Sequence, residues 1–150
     1  MTRARLIWLA LTVVIIAPII AAAFSPYLAF RQPIYIIAGF AGIAGMALMP
    51  LQPLAAARKL PGLRPLFAHR LHKWLGIGLL LTVVIHVVGL WIFSPPDVVD
   101  ALLLRSPTPF SVWGVLAMWA IFATAALAFL RRRLRLRPRV WARLHMSLAS

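Results

Sequence analysis

Four stretches of this chain are long enough, and nearly uncharged enough, to cross a bilayer. A helix needs about 20 apolar residues to span the hydrocarbon. Residues 6–24, 34–54, 71–93 and 110–130 all meet that length. A water-soluble fold would have to hide all four at once in 150 residues, of which 63% are hydrophobic. Soluble domains run nearer half apolar, and the excess would leave large apolar patches in water. A fifth apolar segment begins near Val140 and reaches Ser150 too short to cross. The expectation is an all-α integral membrane bundle, a single domain over 1–150. It would have four transmembrane helices plus the start of a truncated fifth, as part of a longer chain.

The first run has a second reading. A basic MTRAR, an apolar stretch and then Ala21-Ala22-Ala23 resemble a secretory signal with its cleavage site. The run from 6 to 24 exceeds an ordinary signal core, which favours an uncleaved helix, and Pro18 is expected to kink it.

The chain carries 16 Lys and Arg against 2 acids, a net charge of +14. These charges sit in short clusters between the apolar runs, so they speak for membrane orientation and not for nucleic acid. Fourteen of the 16 fall on one side if the N-terminus is cytoplasmic. The run Arg131–Arg143 then looks like a stop-transfer anchor beside anionic headgroups, with an acidic partner as the weaker reading. Asp97 and Asp100 share the third loop. Trp8, Trp74, Trp91, Trp113 and Trp141 lie near predicted span ends, as an aromatic belt requires. Ala38, Gly42 and Gly45 form a small-residue stripe suited to close helix packing, or to a flat cofactor. With no cysteine, this chain makes no disulfide, thiolate metal site or covalent haem link.

Three of four histidines fall in the stretch HRLHKWLGIGLLLTVVIH. His72 and His86 are fourteen residues apart. At 3.6 residues per turn that is about 40° short of four full turns, so they share a helix face about 21 Å apart along the axis. Gly76 lies on that face with Gly89 beyond, leaving space for a planar ring or a packed helix. His145 opens the fifth segment on the cytoplasmic side, at the level expected for His72. Two histidines on facing helices at one depth can ligate one haem iron from both sides. A membrane histidine can also simply bond a backbone carbonyl or line a polar gap. For His86, deepest in the bilayer, ligation is favoured because an unpaired polar group there is costly, and for His72 because of its phase with His86. His69 sits off the shared face, an interfacial or loop residue and the reserve ligand.

The segment His72-Lys73-Trp74-Leu75-Gly76 with His86, followed by Trp141-Ala142-Arg143-Leu144-His145, resembles the ferric-reductase-like transmembrane domain. That family includes ferric reductases, NADPH oxidases and the membrane haem subunit of a periplasmic methionine-sulfoxide reductase. The resemblance runs from about residue 67 to the end. It implies two b-type haems stacked across the membrane. His72 and His145 would hold the cytoplasmic-side haem and His86 the outer one, whose partner would lie about thirteen residues past His145. One haem at most is then complete in these 150 residues. Arg70, Lys73 and Arg143 are possible propionate contacts, or surface anchors. FAD and NADPH have no fingerprint here, so electrons would come from a separate flavin reductase or from quinol and leave to ferric iron, oxygen or a periplasmic redox partner. The setting implied is a bacterial inner membrane. Two alternatives stay open: a quinol-oxidising dihaem cytochrome b, and a non-redox transporter or assembly subunit. Both acids lying outside the spans counts against a proton pathway.

Overall fold

The computed structural model describes residues 2–131, 133, 135 and 137–149. Among them all regular structure is helical, and four helical stretches are long and apolar enough to cross a membrane. The chain divides into two compact units, residues 1–93 and 94–150.

In the first unit, α1 (Arg3–Ala23) buries none of its residues, as a helix facing lipid does, and Pro18 lies inside it. Trp8 Nε1 donates to the Pro61 carbonyl at 3.3 Å and ties α1 to the second loop. A short 3₁₀ helix, Pro26–Phe30, follows. The second span is two helices, not one. The first, α2 (Pro33–Leu48), stops where Pro50 can supply no N–H to continue the ladder, and α3 (Leu51–Ala56) takes over. Pro53 leaves the Met49 carbonyl without its usual partner, and the Gln52 N–H takes it at 3.2 Å. α3 ends with Arg58 at φ 56° and Lys59 N–H reaching back to Leu54 O at 2.9 Å, a Schellman-type stop.

The third span, α4 (Pro65–Phe93), has 29 residues and starts six residues earlier than the hydrophobic run suggests. Pro65 opens it, where a missing N–H costs nothing. The apolar count missed the polar first two turns, so His69 is helical and not in a loop. At about 1.5 Å per residue α4 is about 43 Å long, against about 30 Å of hydrocarbon.

α2 and α3 run antiparallel to α4, as the paired residues record. Tyr35 meets Phe93 with ring centroids 4.8 Å apart. A Cβ on Gly89 would lie 2.8 Å from the Ala38 Cβ, and one on Gly45 would lie 3.2 Å from Thr82 Oγ1. The stripe of Ala38, Gly42 and Gly45 is therefore the α4-packing face. Apolar surface gives no drive to associate in lipid, so such helices depend on close van der Waals approach.

In the second unit, α5 (Pro95–Leu102) is a short amphipathic helix with Pro95 and Pro96 in its first turn and Asp97 beside its N-terminus. It lay unrecognised in the third loop because eight residues carry little periodic signal. α6 (Ser111–Leu130) is the fourth span, and α7 (Pro138–Ala149) begins two residues ahead of the expected fifth segment.

Gly89→Leu should force α2 away from α4. Thermal unfolding in detergent should show a loss of roughly 1–3 kcal/mol, whereas Gly114→Leu, in open space on α6, should change little.

Candidate functional site

Histidine side chains meet backbone at two levels of the α2/α3–α4 pair. His86 Nδ1 lies 2.7 Å from the Ala38 carbonyl oxygen. A carbonyl only accepts, so Nδ1 carries the proton, and in the neutral ring the lone pair is on Nε2. Ala38 O also belongs to the α2 ladder, and Gly42 is four residues on. Side chains on a helix lean toward the preceding turn, so a Cβ at 42 would cover that carbonyl. It would lie 2.7 Å from His86 Nδ1 and 2.9 Å from Cε1. Glycine at 42 is what lets the ring reach.

The bond itself contributes only about 0.6–2 kcal/mol in a membrane setting, while a polar group left unmet in hydrocarbon costs several. Its main effect is to permit a histidine here and to fix the ring. This is the bond expected of a merely structural histidine. It is equally the outer-nitrogen bond by which metal-ligating histidines are oriented.

Fourteen residues earlier, half-buried His72 faces Gln52 of α3. Its Nδ1 is 3.2 Å from the Gln52 main-chain carbonyl. The side-chain amide approaches the same turn. With its oxygen accepting from Gly76 N–H at 2.6 Å, its nitrogen donates to the His72 carbonyl at 3.2 Å and lies 2.7 Å from Nδ1. Nδ1 therefore faces a carbonyl and an amide N–H from one residue, and the ring's tautomer decides which of the two it bonds. Nothing in the sequence pattern singled out Gln52. The available signal was a lone amide between two prolines within an apolar span.

The two histidines on α4 thus share a helix, a face and the same engaged nitrogen. His69 is exposed, as are Arg70, Lys73 and Arg143. His145 belongs to the second unit, on α7. Trp141 stacks on it with centroids 5.0 Å apart and planes 16° from parallel, and the Arg131 guanidinium lies 4.3 Å from the Trp141 ring. Asp97 and Asp100 are both exposed on α5. Among the described residues no group of three or more His, Asp and Glu side chains converges, as a bare-ion site would need. Axial ligation of a haem asks for only one histidine on each side of the iron.

Residues 41–150 match the family model described as Ferric reductase like transmembrane component. The chain belongs to that family. The match takes in α4 and α7 and every histidine. Membership carries a transmembrane redox role in general terms and an integral membrane setting. No curated relative and no solved structure matches the chain.

Gly42→Ala should break the His86–Ala38 bond, and Gly39→Ala, whose Cβ would meet nothing within 4 Å, should not. Ring ¹⁵N spectra of histidine-labelled protein in lipid report the difference. An unshifted His86 signal in Gly42→Ala would contradict the geometry.

Proposed function

We propose that this ferric-reductase-like chain carries electrons across a membrane through b-type haem held by histidine. The observation that carries the reading is the common arrangement of His72 and His86: each has Nδ1 engaged from the opposing helix, on one face of α4. Bound haem supplies a one-electron ferric/ferrous couple. The residues do the rest. The Ala38 carbonyl holds the His86 ring with Nε2 as its lone-pair nitrogen, and the Gln52 main-chain carbonyl is placed to do the same for His72.

On the family resemblance alone, His72 and His145 would be ligands of cytoplasmic-side haem, and His86 would be a ligand of outer haem. A separation of about 21 Å along the axis lets both levels lie within about 30 Å of hydrocarbon. With histidines as its ligands, a bound haem would serve to pass electrons rather than to transform a bound molecule. Arg70, Lys73 and Arg143 are exposed and basic, suited to haem propionates or to lipid phosphates.

The charge distribution favours a cytoplasmic N-terminus in a bacterial inner membrane. A separate flavin reductase or a quinol supplies the electrons, and ferric iron, oxygen or a periplasmic redox protein receives them.

Purified from haem-replete cells, the protein should show a sharp b-type α band in its reduced-minus-oxidised spectrum. His72→Ala and His86→Ala should each lose haem, and His69→Ala should keep it. A wild-type preparation without that band refutes the proposal.

A further inference from the structure

Residues 1–93 hold no acidic side chain, since the chain's two acids are Asp97 and Asp100, yet they carry eight Lys and Arg. All but Arg31 fall at one end of that unit: the start of α1, the loop after α3 and the opening turns of α4. The Trp8–Pro61 bond holds the first two of these together. No carboxylate within the unit can neutralise them.

Beside this basic end a cavity of about 270 Å³ lies between α1 and α4. Its walls include Leu11 and Ile15 of α1 and Phe67 and Leu75 of α4. Two polar side chains also line it, and both have spent their donors. Trp8 Nε1 is bonded to the Pro61 carbonyl at 3.3 Å, and Thr12 Oγ1 to the Trp8 carbonyl at 2.9 Å. A quinone ring would find no unspent side-chain donor for its oxygens here. A hydrocarbon chain asks for none.

Phe67 also lines a second recess, of about 440 Å³, together with Arg64 and Arg70. Both arginines are exposed. Arg70 is two residues from His72, which places it about 160° around α4 and on a different face from that histidine. At about 43 Å, α4 exceeds the hydrocarbon thickness by about 13 Å. Arg64 and Arg70 stand at its opening, ahead of the apolar run that begins at Leu71. A basic recess at headgroup level therefore adjoins an apolar slot at acyl-chain level, with Phe67 as their common wall.

We propose that the two recesses hold one anionic phospholipid, with an acyl chain in the slot between α1 and α4 and its phosphate at Arg64 and Arg70. Basic pockets beside membrane helices take phospholipid headgroups, and a guanidinium can meet a phosphate through two parallel N–H bonds. The chain supplies contact atoms to walls that otherwise face a void. α1 gains most, because it buries none of its own residues.

Native mass spectrometry of the full chain in detergent, with phosphatidylglycerol or phosphatidylcholine added, reads the site. Phosphatidylglycerol should give one tightly held adduct and phosphatidylcholine none. Arg64→Gln/Arg70→Gln should weaken that adduct roughly 10–30-fold. Arg31→Gln/Arg105→Gln, which removes the same charge from other loops, should leave it unchanged. Ile15→Trp fills the slot and should abolish the adduct with both arginines in place. Leu11→Phe makes the same test with a smaller ring where the Trp variant fails to fold. Inorganic phosphate at millimolar concentration should not compete. Competition by phosphate would mark a bare anion site and overturn the proposal. So would several equal adducts indifferent to the slot variants, which mark general attraction to a basic surface. Equal retention of phosphatidylcholine, or no adduct at all, would overturn it too. No arm of the test requires haem, so the lipid site stands or falls apart from the haem reading.

Discussion

A polar ring inside a bilayer has to find its partner within the protein, because the surrounding solvent offers none. In this chain the partner is a helix carbonyl already committed to its own ladder. A carbonyl has two lone pairs, so it can accept a second bond if the side chain four residues on does not cover it. Glycine at 42 uncovers Ala38 for His86, and glycine at 76 uncovers the His72 carbonyl for Gln52. The two openings face opposite ways, one on α2 and one on α4. Together they tie the antiparallel pair at levels about four turns apart.

The α4-packing face carries on past the break at Pro50. Gln52 is fourteen residues after Ala38 and seven after Gly45, so helical phase keeps it near the same face. The ladder is interrupted at Pro50 and Pro53, a short helix begins, and Gln52 lies against the His72–Gly76 turn. The local loss of hydrogen bonds is tolerable because the Gln52 N–H takes the Met49 carbonyl. Proline in membrane helices is tolerated when neighbours re-satisfy the freed groups.

The family match and the helix geometry bear on different questions. The match across residues 41–150 gives the redox class. The geometry shows how an imidazole is held in this sequence, and it allows both a structural and a ligating histidine at 86. The proposal of ligation draws on repetition, since two histidines in phase on one helix each bring Nδ1 to a main-chain carbonyl of the opposing helix.

Much of the architecture was legible in the sequence. Hydrophobic length alone located the spans, because the bilayer imposes one thickness on every crossing helix. Helical phase alone put His72 and His86 on one face, because 3.6 residues per turn is a property of the backbone. Composition could not find α5, an eight-residue helix within the third loop, or the polar opening turns of α4 that make His69 helical. Nor could it name the partners of the histidines. Ala38 and Gln52 are 48 and 20 residues from the rings they meet, and only the antiparallel register of α2 and α3 on α4 brings them there. The sequence determined which groups needed partners, since burial in lipid makes an unmet imidazole or amide costly wherever it sits. The tertiary structure decided which groups meet them, since hydrogen bonds depend on distances of about 3 Å that only packed helices define.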